Sequence, residues 1–297
     1  MLILLNACSH NPPKNQVPPT HLSSATVLSQ SKANDWRQPD PKNTLYITLK
    51  TGTVIAELAK THAPKHVQNT KALVRDGLFD NTRFYRVIDG FVAQGGPESI
   101  PESFQPQTGQ LTIDPEFTTT FDEPLQISPI DDSDTQKIDY YADRVGFYKG
   151  FAAGQSDNGK ENWLLHCYGA LGMGRANEID SGGTELYVVI GHAQRYLDKN
   201  VTVFGRVIYG MEHLQALKRS TSLAGPADVT DNNPIIKIEV ASDMNPDQLI
   251  QLEILRTNTN TFTQYVEVKT TKQCVTVPKD NKAALAPAVP AAPDKPN

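Results

Sequence analysis

The chain has 297 residues, 38% hydrophobic and 21% charged, with a formal net charge of −5. That length admits one large domain with extensions or two small domains, and the balance suits a globular core carrying polar ends. No Lys/Arg run is dense enough for a nucleic-acid footprint, which excludes polyanions as the expected partners.

The chain opens on Met1-Leu2-Ile3-Leu4-Leu5-Asn6-Ala7-Cys8-Ser9. Leu5-Asn6-Ala7-Cys8 resembles a bacterial lipobox, in which the cysteine is lipidated and becomes the mature N-terminus. The basic n-region and the full apolar run of such a signal are missing, so an ordinary frayed end with a chance cysteine stands as the other reading. With Cys8 lipidated, Cys167 and Cys274 remain, and spacing alone does not bring them within bonding distance. No stretch approaches the length of a transmembrane helix. Residues 1–41, rich in Pro, Ser, Thr, Asn and Gln, are predicted to be a signal remnant and flexible tether.

Order is expected from Thr44. Leu45, Ile47 and Leu49 alternate with Tyr46, Thr48 and Lys50, and Thr51-Gly52 turns the chain into Val54, Ala56 and Leu58, a first hairpin with one buried face. Pro64 starts a helical spacing of Val67, Thr70, Leu73 and Val74 that Gly77 closes. A second hairpin follows in Phe84-Tyr85-Arg86-Val87-Ile88-Asp89-Gly90-Phe91-Val92-Ala93-Gln94-Gly95-Gly96, turned at Asp89-Gly90. The order strand, strand, helix, strand, strand excludes a doubly wound nucleotide-binding sheet. An arginine, an aromatic ring and an amide set in an otherwise apolar hairpin are costly unless something uses them.

From 97 to 166 periodicity fades into an expected long inserted loop, with Glu116-Phe117 and Val145-Gly146-Phe147 as anchored pieces and Asp131-Asp132-Ser133-Asp134 as solvated surface. Strands return at Ala170–Met173, Glu185–Ile190 and Val201–Val207, a short helix follows Gly210, and Ile235–Val240 is the last strand. The tally, about eight strands and two helices, predicts a mainly β fold: a closed antiparallel barrel capped by two short helices. Residues 244–276 form an extension that packs on the barrel as strand or helix. The tail, 277–297, with its Ala-Pro repeats, is predicted to be disordered or polyproline-like.

The hairpin resembles the signature of the cyclophilins, the peptidyl-prolyl cis-trans isomerases built on an eight-stranded barrel. In the pattern F-H-R-V-x-x-G-F-x-x-Q-G-G every fixed position matches except the histidine, which is Tyr85 here. Val203-Phe204-Gly205-Arg206-Val207 with Gly210-Met211 resembles the family's V-F-G-x-V-x-x-G-M stretch, so the likeness runs over a domain of residues 42–243. It implies Arg86 as the catalytic arginine, Phe91 as the floor of a proline pocket and Gln94 as the amide holding the substrate backbone. It further implies Met173, Gly174, Arg175, Glu185, Tyr187, Tyr196 and Leu197 as substrate-binding positions. Glu185 stands where a glutamine is common, Tyr187 for a phenylalanine, Tyr196 for a tryptophan, Gly174-Arg175 for Ala-Asn, and Val201 for a pocket histidine.

The implied reaction needs no cofactor and no metal. Rotation about an X-Pro bond has a barrier of roughly 18–20 kcal/mol because the amide nitrogen shares its lone pair with the carbonyl. A planar, always-charged guanidinium aimed at that nitrogen stabilises it only once the bond twists. His166, Cys167 and His192 match no zinc spacing. A two-residue turn at Asp89-Gly90 pairs Arg86 with Ala93 and Gln94 with Tyr85, on opposite faces. Arg86, Phe91 and Gln94 therefore converge only if a bulge or looser turn breaks the alternation between Phe91 and Gln94.

The expected function is thus isomerisation of X-Pro bonds in exported proteins, in a bacterial envelope facing the periplasm. Proline-containing polypeptides are the partners, no nucleic acid is bound, and the only membrane attachment is a lipid on Cys8. A non-catalytic proline-binding or chaperone-like scaffold on the same fold is the alternative, as is a scaffold acting through the acidic insertion.

Overall fold

A computed structural model describes residues 22–130, 139–220, 233–268 and 278–280. Cys8, Cys274, the acidic run 131–134 and the Ala-Pro tail from 281 onward lie outside the described residues.

The first hairpin forms as its alternation dictates. Strands β1 (Thr44–Leu49) and β2 (Gly52–Leu58) pair in register from Thr44↔Glu57 to Leu49↔Gly52. Leu45, Ile47, Leu49, Val54, Ala56 and Leu58 all enter the main core. Helix α1 (Pro64–Arg75) begins with proline in its first turn and ends before Gly77, which takes the left-handed φ of +76°. Its N-cap Ala63 has no side chain to offer, so the cap comes from far away: Glu116 accepts the N–H groups of Lys65 and His66 at 3.0 and 2.8 Å, and meets His66 Nδ1 at 2.7 Å. A carboxylate there satisfies orphan donors and sits favourably at the positive end of the helix. Burial works against ionisation of Glu116, yet its bonds to His66 and Lys65 hold its pKa below the ordinary glutamate value.

Six further strands complete the barrel: β3 (Thr82–Val87), β4 (Val92–Gly96), β5 (Ala170–Met173), β6 (Leu186–Val189), β7 (Val203–Tyr209) and β8 (Pro234–Val240). The spatial order is β5-β6-β4-β3-β8-β1-β2-β7, and β7 pairs back onto β5 to close the ring. Closure leaves no sheet edge in the barrel, and its interior is filled by side chains such as Phe84, Leu171, Phe204 and Ile238. Helix α2 (Met211–Gln215) is the second short helix, and Leu214 anchors it in the same core.

The segment 97–166 is not the loop expected. It carries a five-stranded antiparallel sheet built from Thr119–Thr120, Ser128–Pro129, Arg144–Tyr148, Phe151–Gln155 and Glu161–Leu164. The strands are short and two are interrupted by glycine, which hides their periodicity, but these glycines serve the packing. A Cβ on Gly154 would lie 2.7 Å from the Trp163 ring, and one on Gly146 would lie 2.4 Å from the Ser128 carbonyl oxygen. One cluster joins Phe151, Ala153 and Leu164 of this sheet to barrel residues Val92, Tyr187, Val189 and Val203. A second joins Val145, Phe147 and Trp163 to Trp36, Leu255, Phe262 and Val266.

Nor are residues 22–41 a tether. They form a helix, Ser24–Ser29, capped by Ser23, and a short strand, Trp36–Arg37, that pairs with Leu255 and Ile254. Val27 and Trp36 are buried. The C-terminal extension supplies both candidate element types, a strand (Leu252–Leu255) and a helix (Asn260–Glu267). Leu252 and Ile254 pack on Tyr46, Ile55 and Ile208 of the barrel. Phe262 meets Phe147 edge-on at 4.9 Å, an arrangement worth about 0.5–1.5 kcal/mol beyond its buried area. Cys167 is disulfide-bonded.

Candidate active site

The site is a row of side chains laid across neighbouring strands. Arg86 on β3 pairs with Gln94 on β4, Gln94 with Tyr187 on β6, and Tyr187 with Gly172 on β5. Residues directly opposite in antiparallel pairs share a face, so this row stands on the outside of the barrel.

Two local departures from regular pairing create it. The hairpin pairs Val87 with Ala93 and Arg86 with Gln94, while Ile88 N–H bonds Val92 O and Phe91 N–H bonds Ile88 O. The connection thus holds three residues, Asp89, Gly90 and Phe91, with Gly90 at φ +68°. The looser turn brings Arg86 and Gln94 together, as required for convergence, but the extra residue is Phe91 itself rather than one after it. A second register shift falls between Arg83 and Arg86. There Tyr85 and Arg86 are both half-buried between the fully inward Phe84 and Val87, so two consecutive side chains face outward opposite Gln94.

Phe91 is half-buried against the cluster that holds Tyr187, and the Arg86 guanidinium sits 5.6 Å above its ring centroid. Arg86 Nη1 donates to Gln94 Oε1 at 3.2 Å. Gln94 Nε2 donates to Glu185 Oε2 at 2.6 Å and to the Tyr85 hydroxyl oxygen at 2.8 Å, and the Tyr85 hydroxyl donates to Glu185 Oε2. Burial, then the hydrogen bond and charge of Glu185, raise the Tyr85 pKa above the ordinary phenol range. Tyr85 therefore stays a donor at any physiological pH.

Tyr187 packs against Gly172, where a Cβ would come within 2.1 Å of its ring; only glycine fits. Its hydroxyl meets His166 Nε2 at 2.7 Å. His166, fully buried, meets Asp198 Oδ1 through Nδ1 at 2.8 Å, and Asp198 accepts from Arg195 Nε at 2.5 Å. Arg195 continues to Asp139 in the inserted sheet, donating from Nη2 at 3.1 Å and from Nη1. This chain supplies the partner that a buried tyrosine hydroxyl needs. Burial raises the Tyr187 pKa, with the charge of Asp198 and the neighbouring Tyr196 adding to it.

The remaining expected positions divide. Tyr196, 58% exposed, and half-buried Leu197 sit on the 3-10 turn Arg195–Leu197. The segment before that turn lies against the hairpin, with Gln194 Nε2 donating to Gly90 O at 3.1 Å. Val201 packs on the Phe91 cluster. Gly174 lies beside Gln94 and Glu185, its N–H given to Glu185 O at 2.7 Å. Met173 is not a pocket residue: it is 2% exposed and belongs to the barrel interior, because alternation turns it inward next to the outward Gly172. The Arg175 side chain does not join the row either. Its guanidinium is tied to Asn200 O and Oδ1 and to Ala176 O, and lies 5.7 Å from the Phe117 ring. The sequence reading missed Asp139, Arg195 and Asp198, and weighed His166 only as a metal ligand. The signal available was the hydroxyl on Tyr187, which demands a buried partner.

Residues 44–241 match the family of cyclophilin type peptidyl-prolyl cis-trans isomerases. The chain is 27% identical over 213 residues to a probable peptidyl-prolyl cis-trans isomerase of Brucella suis, covering 69% of this chain and 85% of that protein. It is 24% identical over 218 residues to peptidyl-prolyl cis-trans isomerase A of Dickeya dadantii, covering 71% and 90%. The crystal structure of cyclophilin AquaCyp293 from Hirschia baltica superimposes with a TM-score of 0.68 at 26% identity, over 86% of this chain and 96% of that one. With an eight-stranded barrel and an outward Arg-Gln row on its signature hairpin, the chain belongs to the cyclophilin-type peptidyl-prolyl cis-trans isomerases. It is an isomerase of X-Pro bonds, acting on proline-containing peptides.

Proposed function

We propose that Arg86 is the catalytic residue, that Phe91 and Tyr187 receive the proline ring, and that the enzyme works on exported proteins in a bacterial envelope. The observation that carries the catalytic part is the placement of the Arg86 guanidinium directly over Phe91. A ring seated on Phe91 presents its nitrogen to Arg86. In the planar amide that nitrogen is a poor acceptor; at the twisted transition state it regains its lone pair and accepts from the guanidinium. The interaction favours the transition state over both ground states, which is what accelerates the step. Tyr196 and Leu197 on the neighbouring turn form the rim.

Arg86→Ala is expected to lower kcat/KM on a proline tetrapeptide by roughly 10²-fold, the loss typical of one transition-state donor, with Tm unchanged. An unaltered rate would instead favour the non-catalytic proline-binding reading.

The envelope reading rests on the Leu5-Asn6-Ala7-Cys8 sequence and on the disulfide at Cys167, which suits an oxidising compartment. No helix among the described residues is long and apolar enough to cross a membrane. On this reading lipid on Cys8 is the anchor, with the domain facing the periplasm. Mass spectrometry of the mature protein is expected to find Cys8 as a lipidated N-terminus. An intact peptide running through Met1 with an unmodified Cys8 would remove the anchor.

A further inference from the structure

The amide of Gln94 has two N–H donors and one oxygen, and both its nitrogen and its oxygen are engaged inside the protein. The oxygen accepts from Arg86 Nη1 at 3.2 Å. The nitrogen donates to Glu185 Oε2 at 2.6 Å and to the Tyr85 hydroxyl at 2.8 Å. Tyr85 in turn donates to the same Glu185 oxygen, which closes a ring of three side chains. That ring fixes the amide orientation. A carboxylate oxygen accepts only, so the NH₂ end must face Glu185 and the carbonyl end must face Arg86. Bonds to an ionised acceptor are roughly twice as strong as neutral ones, so an approaching peptide carbonyl does not readily displace the carboxylate.

We infer that Tyr85 and Glu185 are positioning residues that act through Gln94 to aim Arg86, rather than contacts for the substrate backbone. This rests on the reading of Arg86 as the catalytic group. Tyr85 and Glu185 stand where the family pattern has histidine and commonly glutamine, and together they build the closed ring. The spacing around them fits that use: a Cβ on Gly174 would lie 3.2 Å from both Gln94 Nε2 and Glu185 Oε2 and 3.1 Å from Glu185 Cβ, so a side chain there would press on the ring. Gln94 is also held from the other side, since its ladder partner is Tyr187, itself bolted to His166. The guanidinium is thereby aimed at the prolyl nitrogen before substrate arrives. Small misplacements of such a group can cost as much as about 10²-fold in rate.

The test is steady-state isomerisation of a proline tetrapeptide by the full chain carrying Tyr85→Phe, Glu185→Ala, Glu185→Gln or Arg86→Ala, and by the doubles of the first two with Arg86→Ala. Tyr85→Phe is nearly isosteric, and unchanged Tm values confirm folding. We expect Tyr85→Phe and Glu185→Ala to lower kcat about 10-fold with KM within about twofold. Glu185→Gln, which keeps an acceptor, recovers most of the loss. Over Arg86→Ala neither change lowers the residual rate further, because both act through that side chain. A rise in KM with kcat intact would assign Glu185 to direct substrate contact and overturn the inference. So would losses that multiply undiminished onto Arg86→Ala. An Arg86→Ala enzyme as fast as wild type is a separate failure, that of the catalytic assignment itself.

Discussion

At the scale of single residues His62, between β2 and α1, shows what burial does to a group without a partner. His62 is 2% exposed, packs edge-on against Phe121 and Tyr148, and neither ring nitrogen has a hydrogen-bond partner among the described residues. Burial lowers its pKa from 6.5 to about 4. Between those values the unfolded chain binds a proton that the folded chain refuses, so stability falls as pH drops from above 6.5 to below 4. The loss from this residue amounts to about 3 kcal/mol across the window. His62→Phe keeps the edge-on ring contacts and removes the titration. Urea unfolding at pH 7 and pH 4.5 is expected to give a markedly smaller pH difference for the variant. Equal differences in the two proteins would assign the acid sensitivity to other groups. The motif shared with the cyclophilins already implied Arg86, Phe91 and Gln94 in one site, and the structure brings the three side chains together. The likeness misplaced Met173, because a motif aligns positions and says nothing about which face of a strand a side chain takes; the outward Gly172 under Tyr187 decides that.

At the scale of elements, the inserted sheet is joined to the barrel by charge. Arg195, on the turn that carries Tyr196 and Leu197, lies between Asp139 of the insertion and Asp198, with Tyr141 5.7 Å beneath it. Burial opposes its charge, yet the two carboxylates raise its pKa above the ordinary arginine value. Arg195→Leu leaves two buried carboxylates without their shared cation and is expected to cost about 3–5 kcal/mol. Hydrogen exchange is expected to show lost protection first in Arg144–Tyr148, Phe151–Gln155 and the Arg195–Leu197 turn. Uniform loss across the barrel would mean that the insertion is not a separate cooperative unit. The hairpin is where element-level reading from sequence came closest: its alternation showed that a regular two-residue hairpin without a bulge would not bring Arg86, Phe91 and Gln94 together. It did not show that Phe91 would be the extra turn residue, because turn length and strand bulge are interchangeable on paper. The inserted strands carry little periodicity because each is short, two are broken by glycine, and each pairs only with partners from the same insertion.

At the scale of the whole molecule, three segments outside the shared barrel fold around one another. The Ser24–Ser29 helix and Trp36–Arg37 strand, the inserted sheet and the C-terminal strand and helix meet in a core of Trp36, Phe147, Trp163, Leu255, Phe262 and Val266. A buried ion cluster pins this assembly to the barrel: Glu57 takes Arg37 at 2.6 Å and Arg206 at 3.1 Å. Burial works against the Glu57 charge, but Arg206 and Arg37 hold its pKa below the ordinary value. The sequence by itself pointed to the barrel, since a tally of about eight strands and two helices, together with the cyclophilin-like motifs, predicted the closed eight-stranded antiparallel sheet that the structure has. It also carries the family likeness, and with it the reaction, because the hairpin motif shared with the cyclophilins lies within thirteen positions, 84–96. Tertiary structure alone decided how that arginine is held. The ring of Tyr85, Gln94 and Glu185 and the chain from Tyr187 to Asp139 join residues up to 100 positions apart. Such contacts carry no periodicity and no local propensity; they exist only where separate strands are brought side by side.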